Sequence, residues 1–400
     1  MPDSPGRTPI KPLILFWLLL SGCATAVQGP APALRCSPSA GYTAIAGYAM
    51  GRLRGTIAAE NLREPDAQPM TEGLLLSAKS IEAAACGCKT TPDLDRAALA
   101  LLDGSDADGD GMIGWGLPQE YDAFGDNSTN PAGHEYTITT AVVLNGLLDY
   151  RPLAPPAVRM RIDDTVRMVA ETWTTRVWND EEGFYWYSPA ESDRVATMNV
   201  TSMMAGVLTR AAATVALPPA TRATVDRQAG KVIALLTRSA TAGVPFWRYT
   251  VTETARTEDL MHHIYTVHGV EMIRAAGHRV PWTSDQILES LAGFWDGERL
   301  MEYPKQHRPA GPLGLRPARL WGAGGALALA AGLGDTATVN RLRGWIDSGI
   351  YGKGPAFDLW PNTDPRHRTQ APSPRHLAHV AWGMAMADMG WVYGEVPCGR

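Results

Sequence analysis

No stretch of this 400-residue chain is apolar over the roughly 20 residues that a membrane-spanning helix needs. Basic residues are not in excess either. The 36 Lys and Arg stand against 41 Asp and Glu and form no basic run, so a nucleic-acid partner is not expected. The HExxH and paired-cysteine spacings of zinc sites are missing. Cysteine is scarce, with five in all: Cys23, Cys36, Cys86, Cys88 and Cys398.

Something is nevertheless written at the start of the chain. Arg7 and Lys11 precede the short apolar run Leu13–Leu20 (LILFWLLL), and Leu20-Ser21-Gly22-Cys23 follows at once. This order resembles the signal peptide and lipobox of bacterial lipoproteins, which implies export, cleavage before Cys23 and a lipid on its sulfur. Residues 1–22 are then the signal, 23–38 a small, Pro-rich tether, and 39–400 the folded domain. An outer-membrane or periplasmic location is the expectation, with a membrane reached only through the lipid. Removing Arg7, Lys11 and Asp3 takes one net positive charge from the formal −5, leaving −6. Four cysteines remain, an even number that suits two disulfides in an oxidising compartment. Cys86 and Cys88 are too close to pair with each other, so each is expected to reach Cys36 or Cys398, with the connectivity open.

The architecture is legible in a repeat. Five apolar, small-residue-rich segments, Tyr136–Tyr150, Asn199–Ala213, Leu260–Ala276, Leu320–Leu333 and His376–Met389, each carry a central glycine: Gly146, Gly206, Gly269, Gly325 and Gly383. The glycines are spaced by 60, 63, 56 and 58 residues. Between them lie amphipathic stretches with helix-start signals, such as Pro155-Pro156 and Pro218-Pro219. Each repeat reads as a helical hairpin, its first helix buried and its second facing solvent. Two N-terminal helices, Tyr42–Leu62 and Thr71–Ala85, would supply a further pair. The expectation is an all-α protein, six hairpins closing into a toroid with long rim loops; an open solenoid is the alternative.

The loops hold the chemistry. Asp106, Asp108 and Asp110 alternate ahead of Gly111 and Ile113, matching the first eight positions of an EF-hand-type calcium loop. The twelfth position is Leu117 rather than Glu, so the missing ligand would come from Gln119, Glu120 or elsewhere. Trp115, Tyr121, Asp122 and Tyr136 then combine aromatic platforms with carboxylates, as sugar sites do. Trp186 lies in a second aromatic-acid loop, Trp178–Asp193. The third, richest position joins Trp247 to Glu258, Asp259, His262, His263 and Tyr265 at the start of a core helix. Arg319 with Trp321, and Arg375 with His376 and His379, open the last two core segments; converging arginines would suit an acidic sugar.

The order of hairpins, these loops and the segment EDLMHHIYTVHGVE resemble the six-hairpin glycosidase superfamily, the (α/α)₆ toroid, and more narrowly the catalytic toroid of glucuronyl C5-epimerase-like proteins. The resemblance covers roughly residues 40–395 and implies a polysaccharide or oligosaccharide partner without fixing the reaction. Glycoside hydrolysis is the favoured reading, with Asp122 and Asp259 as the carboxylate pair. Uronate elimination or C5-epimerisation is the alternative, with Tyr136, Tyr265, His262 or His263 taking a proton and Arg319 or Arg375 neutralising a carboxylate. A third reading is a non-catalytic, glycan-binding lipoprotein of a polysaccharide export system, which acids retained deep in the mouth would disfavour.

Overall fold

The computed structural model describes residues 34–54, 68–241, 245–251, 257–347, 373–393 and 398. The expected signal, Cys23 and most of the tether lie outside them. Within the compact unit Ala33–Arg400, the described residues form twelve α-helices and two short antiparallel hairpins. Six helices are internal: α2 (Pro69–Ala85), α4 (Thr137–Tyr150), α6 (Met198–Thr214), α8 (Leu260–Ala275), α10 (Leu320–Gly332) and α12 (Pro374–Met389). The others, α1 (Ala40–Leu53), α3 (Pro92–Asp103), α5 (Pro156–Arg176), α7 (Pro219–Ser239), α9 (Ser284–Ala292) and α11 (Thr336–Asp347), pack outside them. The internal helices follow one another around a ring, and α12 packs back on α2. The ring therefore closes, and the fold is the (α/α)₆ toroid rather than a solenoid. Among the described residues no helix is long and apolar enough to cross a membrane.

Burial explains which helix takes which layer. In α4 every residue from Thr137 to Leu148 is buried, so it has no solvent face to serve. By contrast α5 buries Val158, Ile162, Val166, Val169 and Trp173, one stripe at helical spacing, and leaves its arginines outside. Proline in the first turn starts α5 and α7, and a Thr283/Gln286 capping box starts α9.

The repeated glycines have a packing cause. A Cβ on Gly146 would stand 2.2 Å from the Gly73 carbonyl oxygen, one on Gly269 2.2 Å from that of Ser202, and one on Gly383 2.2 Å from that of Gly324. Backbones thus meet backbones at three joints, α2 with α4, α6 with α8, and α10 with α12. The repeat position Gly325 faces Met261 and Ile264 of α8 instead, and its neighbour Gly324 makes the joint to α12.

The N-terminal pair expected from the sequence is organised differently. Its second helix, α2, joins the inner ring, and its outer partner is α3, a helix with a weak sequence signal. That helix is only 12 residues long and buries just Leu94, Ala98, Leu101 and Leu102, although Thr91 caps it and Pro92 starts it. The first helix, α1, is the outer neighbour of α12, so the sixth hairpin is assembled from the two ends of the chain. Arg35 N donates to Met389 O (3.0 Å), Ser39 N to the Asp388 carboxylate (2.8 Å) and Tyr42 Oη to Glu82 (2.8 Å). Disulfides Cys36–Cys86 and Cys88–Cys398 reinforce this closure at the end of α2.

Candidate active site

The loops that precede the inner helices are stitched to one another around one rim. Thr137 N donates to Tyr187 O (3.0 Å), Met198 N to Tyr249 O (3.2 Å) and Leu260 N to Glu302 O (2.8 Å). Each bond ties the first turn of an inner helix to the loop feeding the next one. Two hairpins, β1–β2 (Trp178–Asn179, Phe184–Tyr185) and β3–β4 (Trp295–Asp296, Arg299–Leu300), stiffen the loops before α6 and α10.

Side chains on this belt form a chain of ring contacts. Tyr121 and Tyr187 each meet Tyr136 at 5.8 Å, edge-on, and Phe124 meets Tyr187 at 5.1 Å. Across the ring, Tyr249 lies 4.8 Å from His262, His262 6.2 Å from Trp321, and Trp321 5.1 Å from His376. The Arg319 and Arg375 guanidinium carbons sit 4.4 and 5.0 Å over the Trp321 ring. Residues from five loops thus reach one rim.

A charged cluster occupies the α8–α10 side. Asp259 is the N-cap of α8: its Oδ1 accepts from His262 N (3.1 Å) and lies 2.7 Å from His262 Nδ1. Its Oδ2 accepts from Arg319 at 3.0 Å. Arg319 also holds Glu302, through its Nε (2.6 Å) and its backbone N–H (2.9 Å). Burial pushes the Asp259 carboxyl up, but His262 and Arg319 together pull it well below the usual carboxylate range, so it is an anion. Glu302 is pushed up, by burial and by Asp259, against the pull of Arg319. Two carboxyls sharing one guanidinium are therefore poised in opposite senses. Glu258, 1% exposed, is raised well above the ordinary value by burial and accepts from Thr266 Oγ1 at 2.5 Å.

One turn deeper, Tyr265 Oη and His379 Nε2 lie 2.6 Å apart, while His379 Nδ1 is 2.7 Å from the Arg375 carbonyl. The carbonyl can only accept, so Nδ1 carries the proton and Nε2 accepts a hydrogen bond from the Tyr265 hydroxyl. Burial drops His379 to about 3 and His376 well below its usual value; both are neutral.

Several expected residues are placed otherwise. Trp115 and Trp247 are each 1% exposed, and their indole N–H groups donate to Leu101 O (2.7 Å) and Leu236 O (2.9 Å). They plug the ends of α3 and α7 and present no face to a sugar, which corrects their assignment as binding platforms. Asp122 lies near Tyr136, but its Oδ1 accepts from the backbone N–H groups of Phe124 (3.2 Å), Gly125 (2.6 Å) and Asp126 (3.3 Å), and its Oδ2 from Asn127 (2.9 Å). The carboxylate builds its own turn and is not among the hydrogen-bond partners of Asp259. Tyr265 is buried beneath the rim, and Trp186 is half-buried under Arg194, whose guanidinium carbon is 4.6 Å from its ring. Tyr136 is buried, yet its ring backs the exposed Tyr121; burial pushes its hydroxyl up to about 12. Asp106, Asp108 and Asp110 gather behind this wall together with Glu135.

Glu302, Tyr187 and Glu135 were not singled out in the sequence. A signal for two of them existed: Glu-Tyr recurs at 120–121, 135–136 and 302–303, always in a rim loop. A cavity of about 790 Å³ between α1, α2 and α3, lined by Leu75 and Leu76 and by the charged groups Arg54, Glu72, Lys79 and Glu82 among others, shares no lining residue with the belt.

No protein-family model matches the chain, and no curated protein matches it in sequence. Solved structures do resemble it in fold. A family 76 glycoside hydrolase from a bovine Bacteroides thetaiotaomicron strain superposes with TM-score 0.56 at 9% identity, covering 87% of this chain and 77% of that one. An unsaturated glucuronyl hydrolase specific for heparin gives 0.54 at 9% identity over 87% and 95%. Cellobiose 2-epimerase from Bacillus thermoamylovorans gives 0.53 at 12% over 80% and 87%. These likenesses establish the fold, the (α/α)₆ toroid.

Proposed function

We propose that this protein is a carbohydrate-active enzyme whose reaction centre is the Asp259–His262 couple at the mouth of the toroid. The observation that carries the proposal is the 2.7 Å contact between the anionic Asp259 and His262 Nδ1. A carboxylate there holds the proton on Nδ1, orients the ring and stabilises the imidazolium that forms when Nε2 takes a proton. His262 is the more open partner, with 18% of its side chain exposed against 3% for Asp259. It stands between the rings of Tyr249 and Trp321; Trp321 is covered by Arg319 and Arg375, which leaves Tyr249 as the ring suited to the apolar face of a sugar. This arrangement favours proton transfer at a sugar carbon, as in epimerisation or elimination. Acids retained beneath the mouth, Glu258 and Glu302, speak against a purely binding protein.

A second reading, glycoside hydrolysis, is favoured by the opposite poise of Asp259 and Glu302 on Arg319. One experiment separates the readings. The purified protein is incubated in deuterated water with a panel of neutral and acidic polysaccharides and oligosaccharides. Deuterium at a sugar carbon, or absorbance from an unsaturated uronate, supports proton transfer; new reducing ends without either support hydrolysis. Binding without turnover would refute both.

The chain also reads as exported and lipid-anchored through Cys23, a reading that the two disulfides support. Cys23→Ser should abolish labelling by a fatty-acid analogue and release the protein from membranes. Retained labelling would end this reading.

A further inference from the structure

The loop before α4 carries an incomplete cation-binding pattern, and the fold supplies what the local sequence omits. Leu117 stands where a calcium loop places its bidentate Glu. A β-bridge pairs Gly116 with Glu135, and Gly133 N donates to Leu117 O (2.8 Å), so the chain returns a glutamate beside that position 18 residues later. One carboxylate oxygen each from Asp106, Asp108, Asp110 and Glu135 lie within 4.8 Å of one another. Glu135 is 0% exposed, and neither of its carboxylate oxygens has a hydrogen-bond partner. A carboxylate taken out of water without a donor or counter-charge is costly, and three further carboxylates beside it increase that cost. Room for the side chain is kept on purpose: a Cβ on Gly114 would stand 2.6 Å from Glu135 Cγ. The loop itself is turned by Gly109 and Gly111 at φ 76° and 82°.

We propose that Asp106, Asp108, Asp110 and Glu135 bind one Ca²⁺, which clamps the rim loop onto the start of α4. All four donors are hard oxygens, the chemistry Ca²⁺ takes, and the Met112 carbonyl occupies the position that supplies a backbone ligand in such loops. The clamp has a consequence at the mouth. Glu135 is followed directly by Tyr136, whose ring supports Tyr121 and Tyr187 and whose hydroxyl accepts from Asn130 Nδ2 at 3.1 Å. Ca²⁺ therefore orders one wall of the aromatic rim, whatever reaction occurs there.

The test uses the whole protein stripped with chelator and titrated with Ca²⁺ alone, followed by calorimetry, melting and near-ultraviolet circular dichroism. The expected result is one Ca²⁺ per chain, a melting rise of about 4 °C at a hundredfold excess over Kd, and a sharpened tyrosine signal. Glu135→Gln should abolish these responses and melt no lower than the stripped wild type, because it removes one of four crowded charges. Asp108→Asn, at an exposed position, should weaken Ca²⁺ by about tenfold or more and keeps the test open if Glu135→Gln does not fold. No binding at millimolar Ca²⁺, an unchanged response in both variants, or a response to Zn²⁺ alone would overturn the proposal.

Discussion

Replacing Asp259 with Asn tests the core of the site, because it changes charge while sparing shape. Asn is as good an N-cap as Asp, so its carbonyl oxygen keeps the 3.1 Å bond from His262 N and α8 still starts at Leu260. What is lost is the charge in two contacts, to His262 Nδ1 at 2.7 Å and to Arg319 at 3.0 Å. Charge-assisted bonds contribute about 1.5–3 kcal/mol each, and breaking a buried pair costs about 3–5 kcal/mol. Arg319 keeps Glu302, so the penalty should be ~3 kcal/mol, at the lower end of that range. Urea denaturation measures it. The sign with pH follows from the depressed carboxyl: its contribution is present above the unfolded value near 4 and is lost as pH falls through the folded one. The part of the penalty carried by Arg319, which is charged throughout, should hold steady from about pH 8 to pH 5 and shrink below about pH 4. Turnover should drop by about 10³–10⁴-fold, since His262 loses the group that sets its tautomer. A penalty below about 0.5 kcal/mol, or a rate within about tenfold of wild type, would refute the reasoning.

Three further outcomes follow from the packing. Gly146→Ala, whose Cβ would meet the Gly73 carbonyl at 2.2 Å, should cost about 3 kcal/mol or more in thermal or urea unfolding, whereas Gly230→Ala on the outer α7, with nothing within 4 Å, should stabilise by up to about 1 kcal/mol. Trp115→Ala should lower stability by about 3–5 kcal/mol, while Tyr249→Ala, at a half-buried rim position, should mainly weaken saccharide binding, read by titration calorimetry. His379 is held neutral in the fold at about 3, below its ordinary 6.5. It therefore contributes stability above about pH 6.5 that is lost as pH falls toward 3, and His379→Gln should flatten that dependence by about 1.4 kcal/mol per pH unit.

The repeat of apolar segments, each with a glycine, determined five of the six inner helices to within a residue or two. The reason is local and redundant: a helix buried on every side can be written only with small and aliphatic residues, and helix-start signals stand in the chain beside it. The same holds for the pairing of Cys86 and Cys88 with the outlying cysteines, since two residues separated by one glycine have few other choices. What tertiary structure decided is which polar side chains meet. Trp115 and Trp247 read as sugar platforms in one dimension, but the ends of α3 and α7 offer them carbonyl partners and bury them. Asp122 and Asp259 look alike in sequence; one is surrounded by its own loop's N–H groups, the other by a histidine three residues on and an arginine sixty residues on. Glu135 is the clearest case, because its meaning depends on a bridge to Gly116 that no local pattern announces. Helical burial is periodic and can be read along the chain, whereas the charge partner of a buried carboxylate is set by ring closure, which brings together residues whose spacing carries no signal.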